Sequence, residues 1–278
     1  MESKVFSASP VNPLYSGMIL YQETPPPQGL RHCIASYWRF EYRPQDKNAG
    51  PLQHIILPDG CLSILFIAQK GRPLSPPLAV FPTAATRQVK VEPRATYLGI
   101  RIFPGCARPI LGVDLNQPGY TVSPVSESLH GLDTSLIFSR LNAGLKDYEF
   151  LTPVLTAFLE KKQPKMHPRV QRAVHAILEV EGNIRIANVA KRAHMSMRQL
   201  QRCFKEEVGL TPKEFARVRR LRNALIKLML EDRSFQDVLF EQGYFDPAHF
   251  NKDFFSIVGT KPKLFEAYIS QIEHLGLS

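Results

Sequence analysis

Arg198, Gln201, Arg202 and Lys205 follow one another at steps of three, one and three residues in a polar run. That spacing gathers side chains onto one face of a helix. Arginine can donate a pair of hydrogen bonds to guanine, glutamine can exchange a pair with adenine, and lysine neutralises phosphate. Leu200, Phe204 and Val208 recur every four residues on the opposite side and must face a core. The chemistry implied is recognition of base edges and phosphates, with no bond made or broken.

Residues that make and break bonds are scattered. His32, His54 and His130 form no closely spaced pair in the first half, and Cys33, Cys61, Cys106 and Cys203 contain no Cys-x-x-Cys motif. Serine-hydrolase and phosphate-loop signatures are missing as well. The sequence therefore predicts a non-enzyme with no metal site and no cofactor. The thiols read as buried and free, and Cys203 as a small packing residue.

The polar face needs elements to hold it. A short helix over Ala187 to Arg192, a turn at Ala193-His194-Met195 and a second helix capped by Ser196 would do so, since a serine hydroxyl satisfies free amides of a first turn. Gly209 and Thr211-Pro212 stop that helix. A long helix from Lys213 to about Leu230 follows, with Phe215, Val218, Leu221, Leu225 and Leu228 inward and Arg217, Arg219, Arg220 and Arg222 mostly outward. The pattern then recurs with a shift of 50 residues from Gly209 to Gly259. Ser234 caps a helix to Glu241, Gly243-Tyr244-Phe245 turns, and Asp246-Pro247 begins a helix to Val258. Charge is concentrated in the same region. From Arg185 to Lys227 there are 12 Lys and Arg against 3 acids, a local net of 12 − 3 = +9, within a chain whose total is +10. Such a field attracts polyanions, double-stranded DNA foremost.

The first half has a different pattern. Cys33 to Tyr42, Leu52 to Leu57, Cys61 to Ile67, Thr86 to Val91 and Thr96 to Phe103 read as strands. In the first of these Ile34, Trp38, Phe40 and Tyr42 share one face and Arg39, Glu41 and Arg43 the other, the pattern of a half-buried strand. Pro58-Asp59-Gly60 reads as a hairpin turn between two apolar runs. Helices are expected over Ser126 to Asn142 and Tyr148 to Lys162, the second with a stripe of Leu151, Leu155, Phe158 and Leu159 suited to docking or to packing on its own domain. The polar stretch Lys161 to Lys165, with Pro164, reads as a linker. We expect an α+β protein of two domains, 1–163 and 164–278.

The segment from His167 to Tyr268 resembles the DNA-binding domain of the AraC/XylS family. The resemblance rests on Met195-Ser196-Met197-Arg198-Gln199-Leu200-Gln201-Arg202-Cys203-Phe204-Lys205, on Gly209 to Pro212, on Arg220-Leu221 with Ala224 and Leu228, and on Gly243-Tyr244, Phe250, Phe254, Gly259 and Pro262. It implies two recognition helices in successive major grooves about 34 Å apart. It also implies Ala248, His249 and Lys252 as the counterparts of Arg198, Gln201 and Arg202, and RNA polymerase as a partner. Leu239, Pro247, Ala248 and Lys252 depart from the family pattern, so the second unit is expected to hold phosphates more than it reads bases.

Ile56 to Leu62 and Gly99 to Gly105 resemble the cupin-like β-barrel sensor domains of some such regulators. A small barrel can enclose one small ligand. Trp38, His54, Phe66, Tyr97 and Arg101 are the ligand-binding candidates, with core packing an equal reading for Trp38 and Phe66 and solvent exposure for Arg101. The expected function is sequence-specific transcription regulation controlled by a small-molecule effector. The alternative is a regulator whose first domain only dimerises or binds another protein. A cytoplasmic protein, monomer or homodimer, is expected, because the sequence has neither a signal peptide nor an apolar run long enough to span a membrane.

Overall fold

The computed structural model describes residues 19–116, 122–144, 147–230 and 234–260. Parts of the family resemblance, Pro262 and Tyr268 among them, lie outside the described residues. Eight strands come first, interrupted by one short helix. They are β1 (Ile19–Thr24), β2 (Ile34–Tyr42), β3 (Leu52–Ile56), β4 (Leu62–Gln69), β5 (Leu78–Val80), β6 (Arg87–Val91) and β7 (Ala95–Ile102), then α1 (Ala107–Leu111) and β8 (Val122–Pro124). Helices follow: α2 (Thr134–Asn142), α3 (Leu151–Lys162), α4 (Pro168–Leu178), α5 (Ile186–Arg192), α6 (Met197–Val208), α7 (Pro212–Leu230), α8 (Phe235–Glu241) and α9 (Pro247–Val258). The α+β division expected from the sequence holds.

The strands form a six-stranded sheet in the order β1-β2-β7-β4-β5-β8 and a separate β3-β6 ribbon, both antiparallel. The ribbon covers one face of the large sheet through Leu52 and Val91, which pack with Ile19, Tyr21, Phe40 and Tyr42. Closure is made by side chains, since no ladder joins the two sheets among the described residues. The other face carries Ile64, Phe66, Leu98 and Ile100 into the main core, where Phe66 meets Phe138 of α2 edge-on at 5.5 Å.

Three local expectations are corrected. Pro58-Asp59-Gly60 does not make a hairpin, because β3 pairs with β6 while β4 pairs with β5 and β7. Gly60 does supply the left-handed position (φ 78°), and Asp59 Oδ1 accepts from the Cys61 amide, so the turn chemistry serves a crossing between sheets. β2 is buried on both faces: Arg39 and Glu41 pair with each other and are only 9% and 4% exposed. The helix expected from Ser126 starts at Thr134, where Asp133 caps it by accepting from the Leu136 amide.

α3 buries Leu151, Leu155, Phe158 and Leu159 in the main core, so the stripe packs within its own part of the fold. That core does not stop at the polar stretch near Lys162. It continues through Val170, Val174 and Ile177 of α4, Val189 of α5, Leu200 and Phe204 of α6 and Phe215 of α7. A second core holds Leu221 and Leu225 of α7, Val238 and Leu239 of α8, and Phe250, Phe254 and Ile257 of α9. One residue from the sheet-rich part, Leu57, belongs to it.

Candidate nucleic-acid interface

α6 is amphipathic as its spacing requires. Leu200, Phe204 and Val208 are buried, and Arg198, Gln201, Arg202 and Lys205 are exposed along the opposite face. Its start is fixed by a reciprocal pair: Ser196 Oγ accepts from the Gln199 amide and Gln199 Oε1 accepts from the Ser196 amide. Gln199 thus closes the cap. Gly209 ends the helix in the left-handed conformation. Arg202 lies 3.7 Å from Glu206, one turn on, while Arg198 and Lys205 form no ion pair among the described residues. Four polar side chains are therefore presented from a rigid helix whose own backbone needs are met.

α9 repeats the plan with other chemistry. Asp246 caps it by accepting from the His249 amide at 2.7 Å, and Pro247 sits in its first turn. Ala248 and Lys252 are exposed. His249 is half-buried, its Nδ1 3.4 Å from the Phe245 amide and its ring 5.2 Å from that of Tyr244. The imidazole therefore packs against the turn. Phe245, just ahead of the cap, is 93% exposed.

The connecting helix holds the two units together. Arg217 and Arg220 both reach Asp253 of α9, at 2.8 and 2.7 Å, and Arg220 also lies over the Tyr244 ring at 4.7 Å. Lys227 bridges Glu181 and Glu241, each at 2.7 Å. Gly243 approaches Asn183 so closely that a Cβ would fall 2.3 Å from its amide oxygen. The sequence carried a signal for this clamp, an acid at position 253 within the apolar series Phe250, Phe254 and Ile257.

Arg219 and Arg222 correct the sequence reading. They are 1% and 3% exposed and face the sheet-rich domain, Arg219 donating to the Asp59 carbonyl at 3.2 Å. Gly60 beside it approaches the Phe215 ring, 2.4 Å from where a Cβ would stand. Burial pushes the Arg219 guanidinium down to about 10, helped by neighbouring Arg222. Helical periodicity finds one buried face, and a second domain covering the other leaves no periodic mark.

Four of the five ligand-binding candidates come together and one does not. Trp38, His54, Tyr97 and Arg101 lie between the two sheets, with Phe40 as hub at 4.7 Å from His54 and 6.1 Å from Tyr97. Trp38 lies flat on Gly99, where a Cβ would fall 1.9 Å from the indole. Phe66 points to the other face. Arg101 is 5% exposed, ion-paired with Glu23 and with Asp59, the latter at 2.6 Å; Ser36 and Tyr21 each donate to Glu23 at 2.6 Å. Burial alone would raise the Asp59 carboxyl, but Arg101 and Arg222 with the Cys61 amide hold it below the ordinary range. Burial holds the His54 imidazole down at about 4.

An open cleft of about 470 Å³ is lined by Asn183, Ile184, Arg185, Asn188 and Arg220, and a space of about 10 Å³ remains between Leu57, Pro58, α7 and Ile257 of α9. Among the described residues no cluster of His, Cys, Asp or Glu could hold a metal ion, and no helix is long and apolar enough to cross a membrane.

Residues 189–267 match a helix-turn-helix domain family, and residues 22–119 match a domain family of unknown function (DUF6597). No curated protein matches the sequence. Among solved structures, the DNA-binding domain of the global transcriptional factor AdpA in complex with a target DNA is 24% identical. It covers 36% of this chain and 90% of its own, with a TM-score of 0.33. ToxT from Vibrio cholerae is 11% identical over 91% of this chain and 99% of its own, with a TM-score of 0.44. The ToxT structure bound to (E)-4-(8-methylnaphthalen-1-yl)but-3-enoic acid is 11% identical over 89% and 98%, with a TM-score of 0.46. Two helix-turn-helix units on one connecting helix, preceded by a sheet-rich domain, are the layout that the AraC/XylS resemblance implies for a DNA-binding regulator.

Proposed function

We propose that α6 reads bases through Arg198, Gln201 and Arg202 with Lys205 on phosphate, while α9 grips the backbone through Lys252 and contributes little direct readout. The observation that carries this is the contrast between the two exposed faces. α6 offers two arginines and a glutamine, the donors and acceptors that guanine and adenine edges require. α9 offers Ala248 and a His249 already engaged with its own turn. A duplex selected from a random pool by the full chain tests it. Sequence conservation should concentrate in one half-site, and log affinity should fall with log salt by about 0.9 per phosphate neutralised. Two equally conserved half-sites would refute the division of labour.

The finer reading, control by a small effector in the first domain, is supported by a path. Arg101 ends the face that carries Trp38, His54 and Tyr97, and it grips Asp59, the residue whose carbonyl takes the Arg219 hydrogen bond on α7. A ligand that engaged Arg101 would rearrange that corner. The rings of His54 and Tyr97 pack on Phe40, so binding there would require the aromatic side chains to part. Thermal shifts of the full chain with aromatic carboxylates, taken with and without duplex, test it. Linkage requires DNA to change ligand affinity by the factor by which ligand changes DNA affinity, and the absence of any reciprocal shift would leave the first domain without an effector role.

A further inference from the structure

The loop between β5 and β6 touches the end of both recognition helices. At α9 the Thr86 amide donates to the Ile257 carbonyl at 2.8 Å, and Thr86 Oγ donates to the Val258 carbonyl at 3.1 Å. These are two of the last-turn carbonyls that a helix cannot satisfy internally, so the sheet-rich domain caps the second recognition helix. At α6, Gly209 stands against the same loop. A Cβ there would lie 3.0 Å from Pro82 Cγ and 3.3 Å from Leu115 Cβ, and Glu207 pairs with Arg108 at 2.9 Å. The loop itself is braced. Arg87 donates to the Phe81 carbonyl, Thr83 to the Ala85 carbonyl, and Phe81 and Ala84 pack on the main core.

We propose that this loop acts as a spacer that fixes the distance and phase between the two recognition helices, with Thr86 as the positioning residue, so that the first domain sets which phosphates, counted from the α6 site, the second helix grips. The inference rests on the double-unit DNA reading above. Two helices in successive grooves must match a turn of about 34 Å, and a second helix that grips only the backbone still meets a set of phosphates fixed by the distance and phase at which it is held. α7 and the contacts of Glu181 and Asn183 with Lys227, Gln242 and Gly243 already join the units. The loop adds a further strut from the end of one reader to the end of the other.

The test uses the full chain on its selected duplex and on duplexes in which uncharged methylphosphonates replace a pair of facing phosphates at successive positions about one turn from the α6 site. A second helix held at fixed distance and phase grips the same phosphates on every molecule, so the wild type should lose affinity about threefold or more at one position and little at positions beside it. Thr86→Pro removes both the amide donor and the hydroxyl. It should spread a smaller loss over several neighbouring positions, the second reader being free to follow the backbone. Thr86→Ala keeps the amide and should fall between the two. If Thr86→Pro fails to fold, a two-glycine insertion between Ala84 and Ala85 slackens the strut without removing a group, and should flatten the position dependence equally. A folded variant of either kind that binds DNA and keeps the wild-type position dependence would overturn the proposal. A uniform loss on all duplexes with that dependence unchanged would assign Thr86 to stability alone. If the full chain selects no common sequence, the failure belongs to the base-reading assignment and is recognisable as such.

Discussion

Both helix-turn-helix units place a 12-residue helix behind a side-chain cap and stop it at a left-handed glycine, Gly209 at φ 83° and Gly259 at φ 77°. Behind those frames the units differ in two ways. The first exposes Arg198, Gln201, Arg202 and Lys205 and shares its core with the sheet-rich domain; the second exposes Ala248, Lys252 and Phe245 and packs on a core of its own that borrows Leu57. Caps, stops and buried phenylalanines suffice to repeat an architecture. What the repeat does is decided by the few outward residues they do not constrain, and how firmly it does it by whose core lies beneath.

The sharpest way to break this comparison is Leu57→Ala. Truncating a buried leucine costs about 2–5 kcal/mol, and Leu57 is 5% exposed among α7, α8 and α9 residues. Hydrogen exchange should accelerate in α8 and α9 and far less in α5 and α6; equal acceleration would mean the units share one cooperative core after all. Next, Arg198→Ala and Arg202→Ala should each cost about 1–3 kcal/mol on the selected duplex and little on random DNA. Lys252→Ala should weaken both alike and reduce the salt slope by about 1. Equal losses on both duplexes in anisotropy titrations would make the arginines phosphate contacts.

A smaller effect separates the reading units from the domain that holds them. His54 is held near 4 against an ordinary 6.5, so the unfolded chain takes up its proton first as pH falls. The stability due to the neutral imidazole is complete above about pH 6.5 and is lost progressively toward pH 4. Urea titrations at pH 7 and pH 5 should show a loss of about 1–2 kcal/mol that His54→Phe abolishes. An unchanged slope in that variant would place the acid sensitivity elsewhere. Smallest are the caps. Ser196→Ala and Asp246→Ala should each cost about 1 kcal/mol, and a Ser196→Ala loss near zero in the same titrations would show that the box with Gln199 adds nothing.

What the sequence made legible follows from the range of its signals. The reading face of α6, its cap and its stop are written within a dozen residues, and a period of 3.6 recovers them. The five strands named from the sequence were found to within two residues because alternation is local too, whereas β1, β5 and β8 were not named. Pairing was not: Pro58-Asp59-Gly60 carries every mark of a hairpin, yet which strand β3 joins depends on β6, far along the chain. Arg219 and Arg222 were misread for the same reason, since the surface that buries them comes from residues 59 and 60. Asp253 was passed over because an acid among phenylalanines has meaning only once Arg217 and Arg220 are known to face it.

The corner at Asp59 also bears on how the protein is made. Synthesis delivers the sheet-rich domain first, and domains tend to fold as they emerge. Arg219, which closes over the Asp59 carbonyl, lies 160 residues downstream. Until it arrives, Leu57 and the Glu23-Arg101-Asp59 ion group have water in place of α7. The nascent first domain is thus born with an apolar side chain and a polar seam uncovered, and only the last third of the chain can seal them. A ribosome that stalled between Pro124 and Arg219 would release a product complete in its sheets yet adhesive at that corner, a natural target for chaperones and proteases.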